Sequence, residues 1–315
     1  MTNAFVFPGQ GSQSVGMGRA LAEAFPQARS VFAEVDEALG QKLSSVIFEG
    51  PEAELTLTSN AQPALMAVSI AVLRVLEAEA GLDLKRDAAF VAGHSLGEYS
   101  ALAAAGVFSL ADTARLLRLR GDAMQKAVPA GVGAMAALLG LDYEAGVAVA
   151  HEASQGQICE IANDNGGGQV VASGHKAAVE RAMEIAKTRG AKRAILLPVS
   201  APFHCALMQP AAEAMAEALS HVVMRAPCTP LVSNVLARKL TDPTEIRQGL
   251  VEQVTGTVRW RESVAYMADE GVDVFYELGA GKVLSGLVKR IAETARGMAV
   301  GSPADIEAYR TLASS

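Results

Sequence analysis

The sequence predicts an α/β protein with a mostly parallel sheet and a smaller inserted unit. The first observation that predicts this fold is the alternation of strand-like and helix-like segments. Short apolar runs, Ala4–Phe7 and Ala88–Ala92, are typical of buried strands. Longer runs with helical spacing, Pro63–Glu79 and Ala111–Ala127, separate them or follow them. Strands that alternate with helices in this way are expected to form a mostly parallel sheet.

The middle of the chain, residues 128–198, follows a different order, and this is the second observation. Its expected elements run β-α-β-β-α-β: Gly133–Leu141, Asp142–Ser154, Gln157–Asn163, Gln169–Ser173, His175–Arg189 and Ala194–Val199. Asp164-Asn165-Gly166 is a strong turn signal between the two central strands. This order predicts a ferredoxin-like small sub-domain, inserted into the larger α/β unit formed by residues 1–127 and 199–315. The insertion would form one wall of a cleft.

Composition and charge exclude several classes of protein. The 315 residues are 50% hydrophobic and carry a net charge of −7, without a basic run interleaved with aromatics, so we expect no nucleic-acid partner. Three scattered cysteines indicate a reducing compartment rather than a disulfide framework. The first residues lack a basic region before an apolar run, and apolar stretches are interrupted before the ~20 residues that a bilayer requires. We therefore expect a cytoplasmic protein without a membrane segment, and a monomer.

Ser95 is the candidate nucleophile. The run Gly93-His94-Ser95-Leu96-Gly97 places Gly-x-Ser-x-Gly between an expected strand and an Ala/Leu-rich helix. A serine on such a sharp turn has a strained backbone, and neighbouring side chains two residues away would collide with the turn. The turn exposes the hydroxyl and directs the free N–H groups of the next helix at the reacting centre.

His204 is the candidate base among five histidines. It follows an expected strand, in a loop stiffened by two prolines, and it comes after the serine in the chain as in hydrolase-like sheets. A buried structural histidine is the alternative at this position. His94 adjoins the serine, but adjacent side chains point in different directions. No two histidines have the spacing of metal ligands, so no metal site is expected.

Arg120 interrupts the apolar stripe of its helix. At ~100° per residue, Leu116, Leu117 and Met124 share a face with Arg120. Either the guanidinium extends to water past a packed stem, or it ends in a pocket and pairs with a carboxylate. The sequence favours neither.

Two glycine-rich loops fail the tests for nucleotide binding. Ser14 stands where a dinucleotide fingerprint has its third glycine, and Gly279-Ala280-Gly281-Lys282 lacks the remainder of a phosphate loop. The first loop, Pro8-Gly9-Gln10-Gly11, is better interpreted as backbone that closely approaches a reacting atom, which glycine permits.

Together these segments resemble the malonyl-CoA:acyl-carrier-protein transacylases of fatty acid synthesis and the acyltransferase domains of polyketide synthases. The motifs that carry the resemblance extend over nearly the whole chain: FPGQGSQ, TSNAQPAL, GHSLGEYSAL, RGDAMQ, NDNGGGQVVASG, FHCALM and ELGAGKVLSGL. The resemblance implies an enzyme without a bound cofactor. Its substrates would be malonyl-CoA and acyl carrier protein.

The resemblance also implies roles for single residues. Ser95 would be the nucleophile, His204 the base, and Arg120 the partner of the malonyl carboxylate. The N–H groups of Gln10 and Leu96 would form the oxyanion hole. Substrate contacts are implied for three further positions: Gln253, whose backbone would also orient the histidine, Asn163 and Phe203. Phe203 and Leu96 match malonyl-selective relatives, whereas methylmalonyl-selective ones tend to carry Ser and Gln there.

Departures and rivals accompany the resemblance. Arg259 replaces a frequent glutamine, and Thr255-Gly256 replaces a frequent Asn-Pro, close after Gln253. A serine esterase or thioesterase would share the elbow, but would have an Asp or Glu serving the base and no arginine in the pocket. A scaffold that only docks carrier proteins would lack the serine or the histidine. The malonyl-loading subunit of a malonate decarboxylase would share the whole site.

Overall fold

The computed structural model describes residues 1–199 and 201–313, which form two β-sheets and the helices packed on them. The strands are β1 (Asn3–Phe7), β2 (Phe90–Gly93), β3 (Gly133–Leu139), β4 (Cys159–Asp164), β5 (Gln169–His175), β6 (Arg193–Leu196), β7 (Leu231–Val232), β8 (Lys239–Leu240), β9 (Val274–Leu278) and β10 (Arg296–Val300). The α-helices are α1 (Arg19–Ala24), α2 (Pro26–Leu39), α3 (Leu43–Glu49), α4 (Glu52–Leu55), α5 (Thr58–Ala80), α6 (Leu84–Asp87), α7 (Gly97–Ala104), α8 (Leu110–Lys126), α9 (Tyr143–Ser154), α10 (Lys176–Thr188), α11 (Gln209–Ser220), α12 (Pro243–Thr255), α13 (Trp260–Asp269), α14 (Val283–Ile291) and α15 (Pro303–Ala313).

The larger sheet has the strand order β10-β9-β1-β2-β7-β8 and confirms the predicted mostly parallel arrangement. Every neighbouring pair in it is parallel except β7 and β8. The carboxyl ends of β1, β2 and β7 therefore lie at one edge, where loops of an α/β sheet commonly form a site. Gln10, Ser95 and Asn234 follow these three strands.

Helix α5 is the core helix of the larger unit. It is apolar and long enough to cross a membrane by length and composition, but 83% of its apolar window is buried inside the protein. The helix begins at Thr58, five residues before the expected start at Pro63, because Leu57 O already accepts the N–H groups of Asn60 and Ala61. Ser109 caps α8 by accepting the N–H of Asp112.

The second sheet has the order β4-β5-β3-β6, and its neighbouring strands are antiparallel. Helices α9 and α10 supply part of a separate apolar cluster that covers it, which includes Leu138, Val149 and Val179. The chain order β3-α9-β4-β5-α10-β6 is the predicted one. Strand β3 ends at Leu139, two residues early, because Gly140 turns the chain with a φ of 97°. Strand β6 ends at Leu196 because Pro198 cannot donate to a ladder.

The edge strand β4 joins the two sheets. Asn163 forms a parallel bridge with Val258, whose N–H donates to Ala162 O at 2.8 Å. Arg261 Nε donates to the buried Asp164 carboxylate at 2.8 Å. These contacts hold the second sheet against α13 and the loop before it. The space between the two sheets is the cavity described next.

Candidate active site

Ser95 occupies a sharp turn between β2 and α7, as predicted. Its φ is 53°, in the left-handed region that a residue other than glycine seldom adopts. A Cβ on Gly93 would lie 1.9 Å from Gly97 O, and one on Gly97 would lie 2.2 Å from Phe7 O. Both glycines are therefore required by the packing of the turn against itself and against β1.

Asn234, at the end of β7, holds this turn from the other side. Its Nδ2 donates to Gly93 O at 2.7 Å and its Oδ1 accepts the N–H of Ser95 at 2.8 Å. One fully buried side chain thus bonds the backbone on both sides of the turn. Such contacts offset the cost of a strained serine backbone.

His204 lies within hydrogen-bond distance of the serine. Ser95 Oγ is 2.7 Å from His204 Nε2, and His204 Nδ1 donates to Gln253 O at 2.8 Å. An Nδ1–H bonded to a carbonyl leaves the lone pair on Nε2, which is the tautomer that a base requires. Burial, and then the charge of Arg120, lower the pKa of His204 to about 3, so the ring is neutral near pH 7.

The other histidines are engaged elsewhere. His94 Nε2 donates to Asn165 Oδ1 at 2.8 Å, so this nitrogen is already engaged. His151 is exposed on α9. His175 and His221 flank helix ends, as expected from the sequence. The geometry therefore favours His204 over the alternative of a structural histidine, because its ring contacts the serine oxygen.

Arg120 lies inside the protein, not at its surface. Its side chain is 1% exposed, and its Nη2 donates to Ser95 Oγ at 3.2 Å and to Gln253 Oε1 at 2.9 Å. Nη1 donates to Gln62 Oε1 at 2.8 Å, and the guanidinium carbon lies 5.7 Å from the centre of the Tyr99 ring. Among the described residues no Asp or Glu forms an ion pair with Arg120. The buried guanidinium is therefore held by amides and a hydroxyl.

Gln253, near the end of α12, is fully buried and is not among the residues that line the cavity. Its carbonyl accepts from His204 while its side chain accepts from Arg120, so one residue contacts both. The expectation that its backbone orients the histidine agrees with this geometry.

Two backbone N–H groups near the serine have no protein acceptor in the described part of the chain. The N–H groups of Gly97 and Glu98 are used within the turn, donating to His94 O and Ser95 O. Those of Leu96 and Gln10 are not, and both residues line the same cavity as Ser95. Gly9 brings Gln10 close, since a Cβ there would lie 2.7 Å from His94 O. These are the two residues expected to form an oxyanion hole.

The cavity around these groups has a volume of about 620 Å³ and lies between the two sheets. Asn163 of β4 and Phe203, next to His204, contribute to its wall. Within the described residues, no group of three His, Cys, Asp or Glu side chains is arranged to hold a metal ion.

Comparisons with known proteins agree on one family. The family described as acyl transferase domain matches residues 4–304. The chain belongs to this acyltransferase family. It is 48% identical to the malonyl CoA-acyl carrier protein transacylase of Escherichia coli (strain K12), with 98% of this chain and 99% of the relative covered. It is 50% identical to the protein of that name from Bacillus subtilis (strain 168), with 98% and 96% covered.

Solved structures of malonyltransferases are also similar to this chain. An acyl-carrier-protein S-malonyltransferase from Bartonella henselae is 56% identical, with a TM-score of 0.97 and both chains fully covered. A malonyl-transacylase in complex with a type II PKS acyl-carrier protein is 44% identical, with a TM-score of 0.96 and coverage of 99% and 100%.

Three buried residues of the acyltransferase site were missed in the sequence. Gln62, Glu98 and Asn234 are each no more than 1% exposed, and each bonds a residue that was singled out. The available signal was a polar residue inside an apolar segment: Gln62 in the apolar α5, Glu98 at the start of an Ala/Leu-rich helix, and Asn234 after an apolar strand. A buried polar side chain requires a partner, and these partners belong to the site.

The loop after Gln253 accommodates the unusual residues of this acyltransferase. Gly256 closes α12 by donating to Glu252 O at 2.8 Å. Arg259 donates its Nη1 to Val235 O at 3.0 Å and forms an ion pair with Glu262. The bond between Gln253 O and His204 is present with these residues in place.

Proposed function

We propose that this acyltransferase moves a malonyl group from malonyl-CoA to the phosphopantetheine thiol of an acyl carrier protein, through an ester on Ser95. The named relatives support the donor and the carrier, because their names state both. The site supports the ester, because a serine, a neutral base and two free N–H groups meet in one cavity.

One observation carries the choice of malonyl. Arg120 places a buried guanidinium 3.2 Å from the oxygen that would carry the acyl group, and no carboxylate of the described residues is paired with it. In a malonyl ester one methylene group separates the free carboxylate from the ester carbonyl. The carboxylate can therefore reach a cation that lies beside the ester oxygen. An acetyl group has no charge to offer, and leaves the guanidinium unpaired.

Acylation needs only groups of this chain. Ser95 Oγ attacks the thioester carbonyl while His204 Nε2 takes the hydroxyl proton, and the oxyanion is stabilised by the N–H groups of Gln10 and Leu96. The carbon–sulfur bond then breaks, and His204 returns the proton to the leaving thiolate. In the second half, His204 takes the proton of the carrier thiol, which attacks the ester, and Ser95 recovers its proton. Two transfers through one ester give ping-pong kinetics.

The rival esterase is disfavoured by two features of the site. It requires a carboxylate that serves the base, whereas His204 Nδ1 bonds the carbonyl of Gln253. It also requires no arginine in the pocket, whereas Arg120 lines it. The decarboxylase subunit would share every group, and only the carrier protein distinguishes it.

We extend the proposal to organisation and location. Residues 1–127 and 199–315 would form the hydrolase-like catalytic sub-domain, and residues 128–198 the ferredoxin-like small one, which is supported by the two separate sheets. A cytoplasmic location is supported by the three cysteines, which are unpaired.

The ester is tested by intact mass after incubation with malonyl-CoA. The native protein should gain one malonyl group and lose it to added acyl carrier protein carrying its phosphopantetheine arm. Ser95→Ala should gain none, because the bond forms on that oxygen. A malonylated Ser95→Ala protein would overturn the assignment, and an ester released only as free malonate would point to the esterase.

Selectivity is tested with Arg120→Ala. The variant should lose kcat/KM for malonyl-CoA on the order of 10²–10³-fold, since a carboxylate would enter a dry pocket without a partner. Activity with acetyl-CoA should hold or rise, and methylmalonyl-CoA should be a poor donor for the native protein. Arg118→Ala is the matched control, because Arg118 lies on the same helix but donates to Asn60, outside the cavity. An equal loss on both donors would show that Arg120 is structural.

A further inference from the structure

Glu98 is a buried acidic residue that the proposed chemistry does not use. It is the second residue of α7, is 1% exposed, and lies behind the wall of the active-site cavity. Its Oε2 accepts Gln253 Nε2 at 2.6 Å and, less closely, the N–H of Asn234 at 3.4 Å. A carboxyl group is costly to bury, and these two contacts are with residues that hold the site.

The side-chain amide of Gln253 has an oxygen that can only accept hydrogen bonds and a nitrogen that donates them. Arg120 can only donate, so the guanidinium must meet the amide oxygen. Glu98 Oε2, Ser95 O and Asn234 Oδ1 are all acceptors that surround the amide nitrogen, at 2.6, 2.9 and 3.2 Å. A flipped amide would set N–H against guanidinium and oxygen against three oxygens.

Glu98 makes the shortest of these contacts. Ser95 O also accepts the N–H of Glu98 at 3.0 Å, and Asn234 Oδ1 also accepts the N–H of Ser95 at 2.8 Å. The second donor to Glu98 Oε2, the N–H of Asn234, lies farther away at 3.4 Å. Burial raises the pKa of Glu98 to about 7, while its bond to Gln253 lowers it. The hydrogen bond from Gln253 Nε2 to Glu98 Oε2, at 2.6 Å, is therefore the closest contact that orients the amide nitrogen.

We propose that Glu98 is a positioning residue for substrate selectivity: by accepting from Gln253 Nε2 it fixes the amide oxygen against Arg120, and so fixes the guanidinium where an acyl carboxylate binds. The proposal rests on the proposed function, in which Arg120 pairs with that carboxylate. Glu98 itself touches neither Arg120 within ion-pair distance nor the cavity, so it acts through Gln253.

Two conservative variants separate the hydrogen bond from the charge. Glu98→Gln keeps an acceptor oxygen at the same reach and removes the charge. Glu98→Asp keeps the charge and withdraws the acceptor by one methylene. Positioning by the hydrogen bond predicts that Glu98→Asp lowers the ratio of kcat/KM for malonyl-CoA over acetyl-CoA about tenfold. Glu98→Gln should keep that ratio within about threefold.

Glu277 offers matched controls. It is fully buried, and its carboxylate accepts the N–H groups of Leu284 and Ser285, away from Gln253. Glu277→Asp and Glu277→Gln should lower the unfolding temperature and leave the selectivity ratio unchanged. The ratio is independent of how much of each sample is folded, so a merely structural role for Glu98 would not move it.

The outcomes are distinct. An unchanged ratio in Glu98→Asp overturns the proposal. A loss in Glu98→Gln as large as that in Glu98→Asp also overturns it, because Glu98→Gln retains an acceptor oxygen for Gln253 Nε2. A double variant with Gln253→Met should show the ratio of Gln253→Met alone, and additive losses would contradict action through Gln253. If the native protein forms no malonyl ester on Ser95, the proposed function itself fails, which is a different result from an unmoved ratio.

Discussion

A neutral histidine and a buried cation share one cavity in this protein, and each affects what the other can do. Burial lowers the pKa of His204 most, and Arg120 lowers it further, because a second positive charge nearby is unfavourable. The ring of His204 is therefore unprotonated at neutral pH. A carboxylate paired with the imidazole would raise its pKa, so a carbonyl partner is consistent with the neutral ring.

His204→Ala should slow the formation of the malonyl ester by about 10²–10⁴-fold, the usual effect of losing a general base. Rapid-quench intact mass measures this single step. The comparison is His94→Gln, which alters the neighbouring ring that bonds Asn165. A large loss in His94→Gln together with an unchanged rate in His204→Ala would reverse the assignment.

Acidification should remove stability through His204. Its pKa falls from 6.5 to about 3 on folding, so between these values the unfolded chain binds the extra proton. The stabilisation is complete above about pH 6.5 and decreases as the pH falls, by about 2 kcal/mol at pH 5. Glu98 acts in the opposite sense, because its raised pKa favours the folded state as the pH falls below about 7.

Urea unfolding of the native protein and of His204→Gln at pH 7, 6 and 5 isolates this contribution. Glu98 is present in both proteins, so its effect cancels in the difference. The native protein should lose about 2 kcal/mol more than His204→Gln between pH 7 and pH 5. Equal losses in both would show that His204 keeps an ordinary pKa in the fold.

At the scale of elements, the site depends on three neighbouring parallel strands whose carboxyl ends lie close together at one edge of the sheet. Loops after β1, β2 and β7 supply Gln10, Ser95 and Asn234 to one edge of the sheet. The turn after β2 is held by side-chain bonds from Asn234 and by direct contact with the end of β1. Glycine at both flanks of the serine is the condition for that contact.

Two glycine substitutions should therefore have opposite effects on the free energy of unfolding. Gly93→Ala puts a Cβ 1.9 Å from Gly97 O and should prevent stable folding or acylation. Gly286 lies exposed within α14, and an alanine Cβ there would meet nothing within 4 Å beyond its chain neighbours and the backbone of its own helix. Gly286→Ala should therefore stabilise the protein by about 0.5–1 kcal/mol. Thermal unfolding measures both. A stable, fully active Gly93→Ala protein would contradict the packing of the turn.

For the whole molecule, the cavity exists because the two sheets are fixed relative to each other. Strand β4 bridges to Val258, and the ion pair between Asp164 and Arg261 lies beside this bridge. Asn163 of the same strand lines the cavity. Movement of the second sheet would therefore move one wall of the site.

Arg261→Met should remove the partner of a carboxylate that is 2% exposed, and lower the free energy of unfolding by about 1–3 kcal/mol. Acylation by both donors should fall by one common factor, because the wall shifts without a change in selectivity. Arg74→Met is the control, since the Arg74–Glu77 pair is largely exposed and should contribute less than about 1 kcal/mol. Similar effects of the two variants would show that the Asp164–Arg261 ion pair does not stabilise the packing of the second sheet.

The sequence by itself determined the parts that depend on local pattern. Alternating strands and helices predicted the parallel sheet, and the β-α-β-β-α-β order of the second unit was found as expected. The Gly-x-Ser-x-Gly turn was predictable because its sterics involve residues two positions apart. Arg120 was singled out because a charge on an apolar stripe violates helical periodicity.

Only the tertiary structure decided what those residues contact. The partner of Arg120 could be water or a pocket until Gln62 and Gln253, 58 and 133 positions away, were seen beside it. Glu98 and Asn234 carried no periodic signal strong enough to single them out, because each lies in a short segment where burial follows from distant packing. Hydrogen bonds between residues far apart in the chain depend on how the strands are ordered in the sheet, and local spacing does not encode that order.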